Sequence, residues 1–119
     1  MSSHELLSHL YAAFNGRDVD TLLDYLHPEV DWPNGWEGGW LHGRAAVRDY
    51  WQRQWRAIDP RVEPIGFHDE GPGAVRVSVH QVVRDLSGVV QFDGTVVHVY
   101  EFTDGLVRRM TIQDRLPNP

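Results

Sequence analysis

At Asp59-Pro60 the hydrophobic period of this chain changes from about 3.6 to two, and it does not change back. Before that point apolar residues recur three and four positions apart. Ser2 and Glu5 frame a capping box, after which Leu6, Leu7, Leu10, Tyr11 and Phe14 share one helical face until Asn15-Gly16. Asp18 caps a second helix with the stripe Val19, Leu22, Leu23 and Leu26, which His27-Pro28 ends because proline disfavours helical geometry in the residue before it. Val30 to Trp32 reads as a short strand. A third helix opens at Gly43 with the stripe Val47, Tyr50, Trp51, Gln54, Trp55 and Ile58. Beyond Pro60 the β-branched runs 62–68, 74–85, 89–102 and 106–115 are separated by Gly71-Pro72-Gly73, Ser87-Gly88 and Asp104-Gly105, each a turn signal. Helices first and a strand meander second predict an α+β fold, with three N-terminal helices on one face of a curved, mainly antiparallel sheet.

A chain of 119 residues at 41% hydrophobic composition has room for one core, so residues 1–119 are read as a single domain. The absence of cysteine excludes disulfides, thiolate ligands and a cysteine nucleophile. The start, MSSHELLSHLYAAF, lacks the basic region and apolar stretch of a signal peptide, and nowhere do about 18 apolar residues run together; the reading is a soluble, cytoplasmic protein with no membrane partner. A net charge of −6 opposes nucleic-acid binding, and Arg44, Arg48, Arg53, Arg56 and Arg61 read as the wet face of a helix. Seven histidines occur without a His-Glu-x-x-His motif or a close pair, so no metal is expected; without a glycine-rich phosphate motif or G-x-S-x-G, no cofactor and no serine nucleophile are expected either.

Alternation along the strands sorts each into two faces, and a polar residue on the apolar face demands a reason. In 74–85 the odd set Val75, Val77, Val79, Gln81 and Val83 is apolar but for one amide. In 106–115 the even set Leu106, Arg108, Met110, Ile112 and Asp114 is apolar in the middle and acidic at its end. In 89–102 the aromatic weight puts His98 inward together with Tyr100. Gln81, His98 and Asp114 are therefore expected to project from one concave face. A stretch that cannot be helical, VDWPNGWEGGWLHGR, spaces Trp32, Trp36 and Trp40 four residues apart. Indole rings are costly to leave wet, which predicts a loop crossing the mouth of a hollow, with one of Trp36 and Trp40 serving as lid and the other packing.

The order of these elements resembles the SnoaL-like proteins of the nuclear transport factor 2-like superfamily, related to ketosteroid isomerase. The resemblance rests on "LYAAFNGRDVDTLLDYLHPEVDW", "HGRAAVRDYW" and "VVHVYEFTDGLVRRM", and covers nearly the whole chain. It implies a cone-shaped fold, a strongly bent sheet around an apolar pocket. Against the steroid isomerases, the position of the general-base Asp holds Trp32, that of the acidic oxyanion donor holds His98, and the helix-one Tyr falls at Leu10, beside Tyr11; the comparison points away from steroid isomerisation. The Asp-Arg-Asp set of the family's epoxide hydrolases is matched only by Asp114 and Arg108. The polyketide cyclases of the group use an Asp on the final strand as base and a His on the preceding strand, an arrangement that Asp114 and His98 resemble.

On this reading Asp114 removes a proton α to a carbonyl and His98 orients the base or donates to the developing enolate oxygen. Trp32, Trp36, Trp40, Tyr11, Trp51, Trp55, Gln81, Tyr100, Met110 and Ile112 are the candidate contacts for a small hydrophobic molecule. Two alternatives use the same residues. One is a binding protein without turnover, in which His98 and Gln81 are satisfied structural groups and Trp51 and Trp55 are core. The other is a dimeric accessory protein, with a homodimer formed through the outer sheet face that carries Arg76, Ser78, His80 and Val82.

Overall fold

The computed structural model describes residues 1–113, and within them three helices pack on a six-stranded, curved and unclosed sheet, the α+β architecture that the change of period predicts. Helix α1 (Ser3–Asn15) starts at the capping box: the Ser2 side chain accepts from the Glu5 backbone N–H, and the Glu5 carboxylate accepts from the Ser2 N–H. Helix α2 is Val19–Asp24 and α3 is Arg44–Ala57. The strands are β1 (Leu26–Pro33), β2 (Trp40–His42), β3 (Ile58–Asp69), β4 (Ala74–Asp85), β5 (Val90–Thr103) and β6 (Leu106–Gln113). They lie side by side in the order β2-β1-β6-β5-β4-β3, with β1 and β6 parallel and every other neighbouring pair antiparallel.

Four local expectations are corrected. Leu26 belongs to β1, not to the stripe of the second helix: Tyr25 closes α2, and Leu26 pairs with Val107 of β6. Proline at 28 favours extended geometry at His27, and the partner strand completes what local preference begins. Ile58 likewise opens β3 instead of ending α3, and β3 keeps Pro60 and Pro64 because it is an edge strand, where a missing N–H breaks no ladder on the open side. Residues 40–42, expected as loop, pair antiparallel with β1, Trp32 opposite Leu41 and Pro33 opposite Trp40. The alternation in β6 slips at a bulge where Glu101 faces Arg109 but Phe102 faces Val107; Val107, not Leu106 or Arg108, is therefore the buried residue at the start of β6, and Met110 regains the inward face.

The core lies between the helices and the concave side of the sheet. Leu7, Leu22, Leu26, Val30, Val47 and Val107 are fully buried there. Toward the sheet's other end the filling becomes aromatic: Trp51 is 5.2 Å from Trp32, edge to face, and 6.3 Å from Trp55. No described helix is long and apolar enough to cross a membrane.

Candidate functional site

Tyr11 follows Leu7 by four and Leu10 by one, which puts it on the buried face of α1, while His98 and Tyr100 are two apart on β5 and so share its concave face. Their side chains meet. The Tyr100 hydroxyl donates to the Tyr11 oxygen at 2.8 Å, and the Tyr11 hydroxyl lies 2.8 Å from His98 Nδ1. The Tyr11 proton finds no acceptor among the described residues other than Nδ1, so the arrangement that satisfies this buried hydroxyl assigns the His98 proton to Nε2. The Tyr11 and His98 rings stack nearly parallel at 5.9 Å, and Tyr100 meets Tyr11 edge-on at 6.2 Å.

Burial sets the charge state of this trio. His98 is 7% exposed, and removal from water pushes its imidazole down to about 4, so the ring is neutral at physiological pH. Burial raises Tyr11 well above the usual phenol range, with the neighbouring Tyr100 adding to it, and raises Tyr100 despite the opposing effect of the hydrogen bond between the two hydroxyls. Two phenols and an imidazole form an uncharged hydrogen-bonded chain whose last N–H has no hydrogen bond among the described residues.

The trio closes the inner end of a cavity of about 90 Å³, walled by Trp32, Trp51 and Met110 from three different elements. A wider outer hollow of about 520 Å³ adjoins it, with Pro33, Tyr50, Gln54, Gln81 and Ile112 bordering both. Trp40, Phe92, Val96 and Thr111 wall the outer part. The turn at 34–39 makes one rim: the Asn34 side chain accepts from the Trp36 and Glu37 N–H groups, and Gly35 comes so close to Ile112 that an added Cβ would lie 3.4 Å from its Cδ1. Burial pushes the Tyr50 phenol up, and the Gly35 and Trp36 N–H groups partly offset it.

The structure therefore brings Tyr11, His98, Tyr100, Trp32, Trp51, Met110, Gln81 and Ile112 around one inner cavity and places Trp40 at the outer one. Trp40 is half exposed, with the Arg109 guanidinium 4.3 Å from its ring centroid. Trp36 and Trp55 line neither. Trp36 is 44% exposed on the turn, and Trp55 packs between Trp51, Phe14 and Arg17 with its indole N–H buried and lacking an acceptor among the described residues. Asp114 lies outside the described residues; it follows by two Ile112, the register partner of His98. Sequence reasoning passed over Tyr50 and Gln54 as site residues, although Gln54 is the same kind of signal as Gln81, an amide on an otherwise apolar face.

On the convex side of β1 stands a second, charged cluster. His42 Nδ1 is 2.8 Å from Asp31 and its Nε2 2.8 Å from Glu29, while Arg108 reaches the other Asp31 oxygen at 3.1 Å. Hydrogen bonds from His42 and Arg108 hold the Asp31 carboxyl below its ordinary range, and the two carboxylates raise His42. No cluster of three metal-ligating side chains suited to an ion occurs among the described residues.

The fold is the one seen in NTF2-like and ketosteroid isomerase-like proteins of known structure. The chain belongs to the SnoaL-like domain family, whose pattern matches residues 7–110. Among solved structures it is similar to TerC, co-crystallised with polyporic acid, at 27% identity and a TM-score of 0.81, over 92% of this chain and 88% of that one. An NTF2-like protein from Burkholderia pseudomallei superposes with a TM-score of 0.83 at 24% identity, over 96% and 92% of the two chains. A Mycobacterium tuberculosis protein in complex with estradiol-17β-hemisuccinate gives 0.81 at 15% identity, over 96% and 94%. Among curated proteins, none matches the sequence.

Proposed function

We propose that this chain binds a small hydrophobic carbonyl compound in its aromatic-lined cavity and turns it over by proton abstraction, as a cyclase, isomerase or lyase that needs no cofactor. The observation that carries the reading is the neutral His98 among the cavity's lining residues: its Nδ1 is occupied by Tyr11, which leaves Nε2–H as the free donor of an aromatic-walled site. A substrate carbonyl oxygen accepts from that N–H. Asp114 takes the α-proton, the C–H electron pair becomes the enolate C=C bond, and the carbonyl π pair moves onto the oxygen that His98 holds. The enolate then attacks a second carbonyl, is reprotonated elsewhere or expels a leaving group. The ligands carried by TerC and by the M. tuberculosis protein support small-molecule binding in this fold.

Deuterium exchange of the α-protons of 2-tetralone in D2O, followed by NMR, tests the chemistry. Asp114→Asn is expected to slow exchange by about 100-fold or more, as loss of a general base does, with 2-tetralone still bound. Unchanged exchange in that variant overturns the assignment of the base, and binding without exchange in the native protein leaves a binder without turnover.

The same reading includes a homodimer through the outer face of β4, where Arg76, Ser78 and Val82 are half-buried around the exposed His80. Sedimentation velocity is expected to show a species of twice 13.7 kDa that Val82→Arg dissociates.

A further inference from the structure

The two hollows differ in size and in lining, and the difference constrains what can occupy them. The inner cavity, about 90 Å³, is smaller than the roughly 150 Å³ that admits a benzene ring, so only the tip of a ligand enters it. The outer hollow, about 520 Å³, has to hold the bulk. Between them the lining changes from apolar to amide. Gln81 on β4 and Gln54 on α3 border both spaces; Gln54 Nε2 donates to the Tyr50 hydroxyl at 3.3 Å, and Gln81 makes no hydrogen bond among the described residues. Gln81 is four residues along β4 from Val77, the register partner of His98, a rise of about 13 Å. The Gln81 amide reaches the open side of the hollow, so a ligand oxygen there takes the place of water as its partner.

We propose that Gln81 and Gln54 are specificity determinants: they select an elongated, mostly apolar molecule that carries one oxygen function at its tip, for His98, and a second one displaced along its length, for the two amides. The apolar remainder lies against Trp40, Phe92 and Val96. This deepens the small-molecule reading above and rests on it, but does not depend on turnover. Removing the amides takes away recognition of the second oxygen and leaves the hydrophobic contribution intact.

Calorimetric titration with nonan-1-ol and nonane-1,6-diol, two chains of the same length that differ by one hydroxyl and whose slender end enters where a ring does not, separates the possibilities. The diol is expected to bind about tenfold more tightly, as one satisfied hydrogen bond gives. Gln81→Leu is expected to erase most of that advantage, with an unchanged circular-dichroism spectrum and urea midpoint showing that the variant is folded; Gln54→Met gives a second, independent reading. Equal affinity of the two probes, or a diol advantage that survives both substitutions, overturns the selection by amides and leaves small-molecule binding standing. Absence of saturable binding by either probe overturns the small-molecule reading itself.

Discussion

His98 and His42 belong to one sheet, on β5 and β2 with β1 and β6 between them, and the fold drives them in opposite directions. His98 faces inward from β5, meets the phenol rings of Tyr11 and Tyr100, and burial pushes it down to about 4. His42 faces outward from β2 between Glu29 and Asp31, and hydrogen bonds from its ring to the two carboxylates raise it. Only an imidazolium donates from both ring nitrogens, so the outer arrangement is built for the charged form and the inner one for the neutral form. The charge state of a histidine here follows from which side of the sheet its strand parity selects. The inner environment is the one that places a fixed, uncharged donor in a water-poor space, which enolate stabilisation needs.

The largest effect that tests this contrast is the pH dependence of stability. In the unfolded chain His98 titrates near 6.5, and in the folded protein near 4. Between those values the unfolded state binds a proton that the native state refuses. The stability contribution is full above the unfolded value, falls as pH is lowered through the window and levels off below about 4. The shift corresponds to about 3 kcal/mol at 1.36 kcal/mol for each pKa unit. Urea unfolding from about pH 7 to about pH 4 is expected to show this loss in the native protein and a flatter curve in His98→Gln. Parallel curves for the two proteins mean that the imidazole is not buried as a neutral group.

The inward position of His98 was legible in the sequence, because alternation along β5 and the aromatic weight of Tyr100 select one face. Tyr11 was legible as a buried residue for a parallel reason, its place on the stripe of α1. Their contact was not: the two residues are 87 apart in the chain, and only the packing of α1 against the sheet joins them. Strand β4 has turn signals at both ends, and its expected limits match the structure. Leu26 satisfies both a helical spacing from Leu22 and a strand spacing to Val30, so local pattern leaves it undecided until Val107 pairs with it. Strand β2, only three residues long, is too short to show a period, and β1 rather than its own sequence makes it a strand. The bulge in β6 escaped for the same reason, since a single extra residue changes which side chains face inward without leaving a compositional trace.

The smaller and complementary effect belongs to His42. Its folded pKa is raised, so its stabilising contribution is present below the unfolded value of 6.5 and is lost as pH rises through the folded one, the reverse of His98. The group is exposed to solvent, and salt screens the two carboxylates that hold it. An NMR titration of the imidazole Cε1–H signals is therefore expected to give one midpoint above 6.5, for His42, and one well below it, for His98. Asp31→Asn is expected to lower the His42 midpoint more than Glu29→Gln, because the bond to Asp31 is the larger cause of the shift. Raising salt to about 0.5 M moves His42 toward its ordinary value and leaves His98 in place, since screening reaches surface charges but not a desolvated ring. A His98 midpoint that moves with salt would mean that the inner ring titrates against a charge, and the proposal of a neutral donor at the end of the cavity would then fail.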